Sequence, residues 1–283
     1  MKNRRVSVAL ACAGTLAAAC SLSGCGAGAA ASIDPIARAA EVTTHSGGAQ
    51  LAMTMQMSIS GKAVSLNAHG DLDMARQEGE IFVELSGLSA LSEGKIPAGT
   101  TMTELFTGNS LYMGSQLFAS VLPSGAHWIK IDAGKLEQEA GIDPQSLTSG
   151  EANPAQYLQY LRASSGTVTK IGTATVRGVP TTQYSATIEP AKVISQLGKG
   201  DSTTEAKLRS MFADTGMSSI PVQAWIDSKN RLRRVQMQMN MTVSGQSLQM
   251  TVNEELFGFG PIPAVNPPPS SEVYEPSLPT LAG

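Results

Sequence analysis

Few side chains of this 283-residue chain have a type and spacing that could do chemistry. Histidine occurs three times, as His45, His69 and His127, well separated along the chain. His69 stands near Asp71 and Asp73, a set of metal-ligating types. The three alternate along one strand edge with no further ligand nearby, so a solvated turn is expected rather than a metal site. Arg231, Arg233 and Arg234 sit beside Asp227 and Lys229, where they could meet a head group or a protein partner. The expectation is instead a solvated hairpin end. There is no HExxH, no GxSxG and no Gly-rich phosphate loop. A hydrolase would need a carboxylate–His or Ser–His pair within hydrogen-bond reach. The chain is therefore expected to be no enzyme and to hold no metal or cofactor.

The remaining reactive type is cysteine, present only as Cys12, Cys20 and Cys25. Lys2, Arg4 and Arg5 precede an apolar run from Val6 to Ala19, too short to span a bilayer, as in an export signal. The signal ends in Leu22-Ser23-Gly24-Cys25, which resembles the bacterial lipobox. That resemblance implies a signal peptide over 1–24, a diacylglycerol on the Cys25 thiol, and a mature chain that begins at Cys25. Two or three acyl chains on one residue anchor stably where one is marginal. Cys12 and Cys20 leave with the signal, so no internal disulfide can form and stability must come from packing. Loss of Lys2, Arg4 and Arg5 takes the formal charge from −3 to −6, which disfavours nucleic acid and anionic membrane faces. Nothing after the signal is an 18-residue apolar run. The expected location is the extracytoplasmic face of the cell membrane, held by the lipid anchor alone, as a monomer.

The elements around these positions are read from periodicity. From Arg231 to Val252, Val235, Met237, Met239, Met241 and Val243 alternate with Gln236, Gln238, Asn240 and Thr242. After Ser244-Gly245-Gln246, Leu248, Met250 and Val252 return the pattern, so the pair is an antiparallel hairpin with one apolar face. Four of its eight apolar positions are Met, a side chain that fills irregular space and lines adaptable surfaces. Met53, Met55 and Met57 repeat that signature between Leu51 and Ile59, followed by a turn at Gly61-Lys62 and a return strand through Val64, Leu66 and Ala68. A third strand carries Ile81, Val83 and Leu85 after a Gln77-Glu78-Gly79 turn, and Gly70 is read as a bulge. Met53, Met55, Met57, Val83, Leu85, Met237, Met239, Met241, Leu248 and Met250 are the candidate lining of an apolar cavity nearly free of charge. Alternation alone fits a filled core equally well.

Elsewhere, residues 25–32 form a Gly/Ala tether, and Ser32 or Asp34 caps a short helix with Pro35 in its first turn, carried by Ile36, Ala39, Ala40 and Val42. Short strands are expected around Met102–Phe106, Leu111–Met113 and Trp128–Asp132, then two helices at 133–140 and 155–163. A hairpin over 167–188, two helices or one broken helix over 189–214 and a strand over 222–226 lead into the Met-rich hairpin. The folded domain is placed at 33–265, with an extended Pro-rich tail at 266–283. One antiparallel sheet built from both halves, apolar on one face and covered by the helices, is the simplest α+β assembly.

This order, with GTATVRGVPTTQYSATIEPAK, PVQAWIDSKNRLRRVQM and the closing FGFGPIPAVNPP, resembles actinobacterial lipoproteins of the LolA-like superfamily, near the LppX/LprG group. The resemblance spans residues 33–269 and rests on turn and strand patterns. It implies a strongly curved antiparallel half-barrel with helices covering its concave face, and a lipid or other acyl-chain ligand held between sheet and helices. The alternative it leaves open is a structural or sensory envelope lipoprotein that binds a protein partner.

Overall fold

The computed structural model describes residues 34–132, 168–197, 202–217 and 219–276, apart from positions 60, 91, 93, 94, 124 and 244. Cys25, the tether and the helices expected at 133–140 and 155–163 lie outside the described residues.

Helix α1 (Pro35–Thr44) starts where Asp34 accepts hydrogen bonds from the backbone N–H groups of Ile36 (2.8 Å) and Ala37 (3.2 Å). Those bonds satisfy two first-turn donors, and Pro35 has no N–H to lose. The helix buries Ile36, Ala39, Ala40 and Thr43.

Twelve strands then form one sheet. They are β1 (Gly48–Ile59), β2 (Lys62–Asp73), β3 (Glu78–Glu84), β4 (Thr101–Thr107), β5 (Ser110–Ser115) and β6 (Trp128–Asp132). After these come β7 (Thr169–Val176), β8 (Val179–Ile188), β9 (Ile220–Asp227), β10 (Leu232–Val243), β11 (Gln246–Phe257) and β12 (Val273–Tyr274). Their order is β12-β6-β5-β4-β3-β2-β1-β11-β10-β9-β8-β7, so two meanders meet at the antiparallel pair β1–β11. Among the described residues the outermost strands β12 and β7 do not pair, and the sheet is open. Every neighbouring pair is antiparallel except β12 with β6. The turn between β7 and β8 is the two-residue Arg177-Gly178, both at positive φ (46° and 79°), which matches the right-handed twist of a hairpin.

α1 seats on β9 and β10. There Ile36, Ala39 and Ala40 join Leu51, Leu72, Ile81, Ala224, Ile226, Leu232 and Leu256 in one buried cluster. The Thr43 hydroxyl accepts from the backbone N–H of Leu232 at 2.8 Å, beside a bulge between Leu232 and Arg234. Helices α2 (Pro190–Leu197) and α3 (Ser202–Asp214) pack against each other.

Four local expectations change. Gly70 makes no bulge, since both ladders run through it in unbroken register. It serves close approach instead: a Cβ there would meet the Glu80 carbonyl oxygen at 2.1 Å. The turn before β3 is formed by residues 74–77, with Gln77 at φ 57°, so Glu78 and Gly79 belong to the strand. Leu85 leaves the sheet and opens a 3-10 turn over Leu85–Ala90, with its N–H bonded to the Thr100 carbonyl. Within the segment expected as an extended tail, Val273 and Tyr274 pair in parallel with Trp128 and Ile129, and Lys130 pairs with Glu275 at 3.6 Å. The outer edge of β6 would otherwise carry unpaired backbone groups, and this strand covers it.

Candidate ligand-binding face of the sheet

β1, β2, β10 and β11 are each 12 residues long, whereas β3 has 7 and β9 has 8. Four strands therefore extend beyond their neighbours. On the apolar face of this extension Val64, Met57, Met250 and Met239 form one row across β2, β1, β11 and β10. Leu66, Met55, Val252, Met237 and Val222 form the row behind it, and Leu248 faces Met241 in front. Met55, Met57, Met239, Met241, Leu248 and Met250 are all half-buried.

Both edges of the extension are guarded. A Cβ on Gly87, in the 3-10 turn, would meet the Ser65 carbonyl oxygen at 1.8 Å, so only glycine lets that turn close on β2. On the other side the Thr242 N–H donates to the Thr215 carbonyl at 2.8 Å, just past α3.

The ten expected lining residues divide accordingly. Met53, Val83 and Met237 pack against the buried cluster. Leu85 lies off the strands. The other six form the methionine end. The opposite face is polar, as the register requires: Gln56, Gln238, Asn240 and Gln249 are exposed, and Gln183 donates to Gln223 at 2.8 Å.

One member of the apolar face was not singled out from sequence, and it corrects the expectation of a face almost free of charge. Glu254 stands opposite Met53 on β1 and Val235 on β10, only 8% exposed. Burial pushes its carboxyl up to about 7. The signal was present in the alternation, because 254 continues the series Leu248, Met250, Val252 and is followed by Leu256.

The charged residues singled out from sequence serve the scaffold. The Asp227 side chain is 2% exposed. It accepts from the N–H groups of Lys229 (2.9 Å) and Arg231 (3.0 Å) and from the guanidinium groups of Arg231 and Arg233 (each 2.9 Å), and both arginines lie over Phe259. This replaces the expected solvated hairpin end. Burial raises the Asp227 carboxyl, but these donors outweigh it and hold it below the ordinary value. Arg234 and Arg177 bracket Glu255 from the polar face. His69 stacks on Phe82 at 5.4 Å, and Asp73 closes a turn by accepting from the N–H groups of Ala75 and Arg76. Among the described residues no group of three or more His, Cys, Asp or Glu is placed to hold a metal ion, and no helix is long and apolar enough to cross a membrane.

No family model matches the chain. In sequence it is 28% identical over 208 residues to an uncharacterized 31.2 kDa protein from the rplA-rplJ intergenic region of Streptomyces griseus, a match that spans 70% of this chain and 66% of that protein. In structure it is similar to LprF from Mycobacterium bovis, with 15% identity, 83% of this chain and 95% of that one covered, and a TM-score of 0.42. It is also similar to the lipoprotein LppX from Mycobacterium tuberculosis, with 14% identity, coverage of 77% and 91%, and a TM-score of 0.39.

Proposed function

We propose that this chain is a membrane-anchored, extracytoplasmic lipoprotein that carries a lipid or other acyl-chain ligand on the methionine end of its sheet, without catalysis. Cys25 bears the anchor. Helices complete the cover over the apolar face, with α1 closing one end and α2 with α3 closing the other. The observation that carries this reading is the set of six half-buried apolar residues, five of them Met, on a four-strand extension whose two edges are guarded. Thioether side chains adapt to acyl tails of varied length. A surface of this kind orients its ligand with few polar groups.

Mass spectrometry of organic extracts from the natively purified protein tests the reading. A single lipid class recovered in near-stoichiometric amount is expected. Extracts without lipid, from a protein that instead co-purifies with one envelope protein bound on the methionine rows, would replace the carrier with a partner-binding lipoprotein.

A further inference from the structure

Glu254 occupies the boundary between the closed end of the apolar face and its methionine end. Its neighbours along β11 are Val252 and Leu256, both buried, and across the ladders it meets Met53 and Val235. Among the described residues its carboxyl has no hydrogen-bond or ion-pair partner. The titratable residues that share this face, Lys62, Glu104, Lys170 and Tyr184, stand two or more strands away from β11. A carboxyl withdrawn from water with neither donor nor acceptor met costs stability, and native proteins retain few such groups.

Building on the carrier reading, we infer that Glu254 is the polar anchor of the ligand. It meets a neutral hydroxyl or carboxylic acid at the end of an acyl chain, while the chain runs outward over Met55, Met57, Met239 and Met250. A protonated carboxyl offers one donor and one acceptor side by side, and an alcohol or an acid satisfies both. An ammonium head group fits less well, because a buried ion pair needs further hydrogen bonds for its remaining lone pairs and protons, and the rows around Glu254 supply none. With burial holding the carboxyl up to about 7, the protonated form is present at neutral pH. From Glu254 to Leu248 the strand advances roughly 20 Å, enough for a long acyl chain.

The test is native mass spectrometry of the full chain released from detergent micelles after incubation with oleyl alcohol, oleic acid, methyl oleate or oleylamine. Wild type is expected to retain the alcohol and the acid roughly tenfold better than the methyl ester, which lacks a donor. Whichever of the two is held more tightly names the head group. Glu254→Leu should bind alcohol, acid and ester alike, whereas Glu254→Gln, which keeps a donor and an acceptor, should still prefer the alcohol over the ester. Full preference in Glu254→Leu would overturn the anchor and leave the carrier intact. Strongest retention of oleylamine, lost in Glu254→Gln, would overturn the neutral head group. Failure of all four probes to bind wild type would sink the carrier reading itself.

Discussion

The two ends of the apolar face share the same four long strands and the same alternation, yet they are finished differently. At the α1 end, Leu51, Leu72, Leu232 and Leu256 are buried under a helix that brings small residues, Ala39 and Ala40, close to the sheet. Branched aliphatic side chains with few rotamers suit such a permanently filled space. At the other end the face is mostly methionine and half-buried, and β3 and β9 stop short of it. What differs is not hydrophobicity but side-chain stiffness, and on the proposed carrier reading stiffness follows whether the cover is fixed or exchangeable. On that reading one face serves as core at one end and as binding surface at the other.

Truncation tests that contrast most strongly. Leu51→Ala, at a site 2% exposed against Gly70 and Leu256, should cost about 2–5 kcal/mol in a denaturant titration, through lost transfer energy and the cavity left behind. Met55→Ala, four positions along the same strand and on the same face, should cost clearly less, because its side chain is only half-buried. Equal losses would mean that both ends are core.

Glu254 and Glu255 repeat the contrast across the thickness of a single strand. Glu255 is also partly buried, but Arg177 (2.6 Å) and Arg234 (2.9 Å) outweigh that burial and lower its carboxyl. Glu254 has only the burial, which raises its carboxyl from 4.5 to about 7. The signs are opposite. A raised carboxyl binds its proton more tightly in the folded state, so its stabilising contribution is complete below about pH 4.5 and is lost as pH rises through about 7. The lowered Glu255 contributes above its ordinary value and loses that contribution only as pH falls through its depressed one. Between pH 5 and 8, Glu254→Gln should therefore remove a decline in stability on the order of 3 kcal/mol. Thermal melts of both proteins across that range check this, with the variant the more stable at pH 8. Parallel pH profiles would show that the carboxyl finds a partner or water.

Much of this was legible in the sequence, for reasons that can be named. The period-2 runs of β1, β10 and β11 set which side chains share a face, because a slip of one residue would turn every methionine to the polar side. A cap at Ser32 or Asp34, which Asp34 takes, and an interruption within 189–214 were equally visible. The β1–β11 pairing joins segments some 200 residues apart, and alternation holds no information about which strand lies beside which. The same holds for the tail: Val273-Tyr274 is too short to show a period, and it becomes a strand only because the edge of β6 is there to receive it. Glu254 was hidden by its own residue type, since a charged side chain reads as the end of an apolar series rather than as a member of it. The arginines were misplaced for a related reason, because charge next to a turn suggests solvent, whereas Asp227 draws two of them into the hairpin end.

The finest distinction between the two ends lies in how they take added volume. In a filled space, extra atoms force side chains off their rotamers, at about 1–3 kcal/mol. On an adaptable surface the larger ring displaces ligand and can lie against neighbouring thioethers, where sulfur–aromatic contact is favourable. Met239, opposite Met250 and half-buried, is the position to test. Met239→Trp should shift the unfolding free energy by less than about 1 kcal/mol while abolishing recovery of lipid from the purified protein. Gln238→Trp is the matched control, since Gln238 is exposed on the polar face of the same strand and should change neither quantity. If Met239→Trp destabilises as a core substitution would and leaves lipid content unchanged, the methionine end is filled by the chain itself. If Gln238→Trp is the variant that empties the protein of lipid, the ligand lies on the other side of the sheet, and Glu254 with its methionine rows belongs to the core.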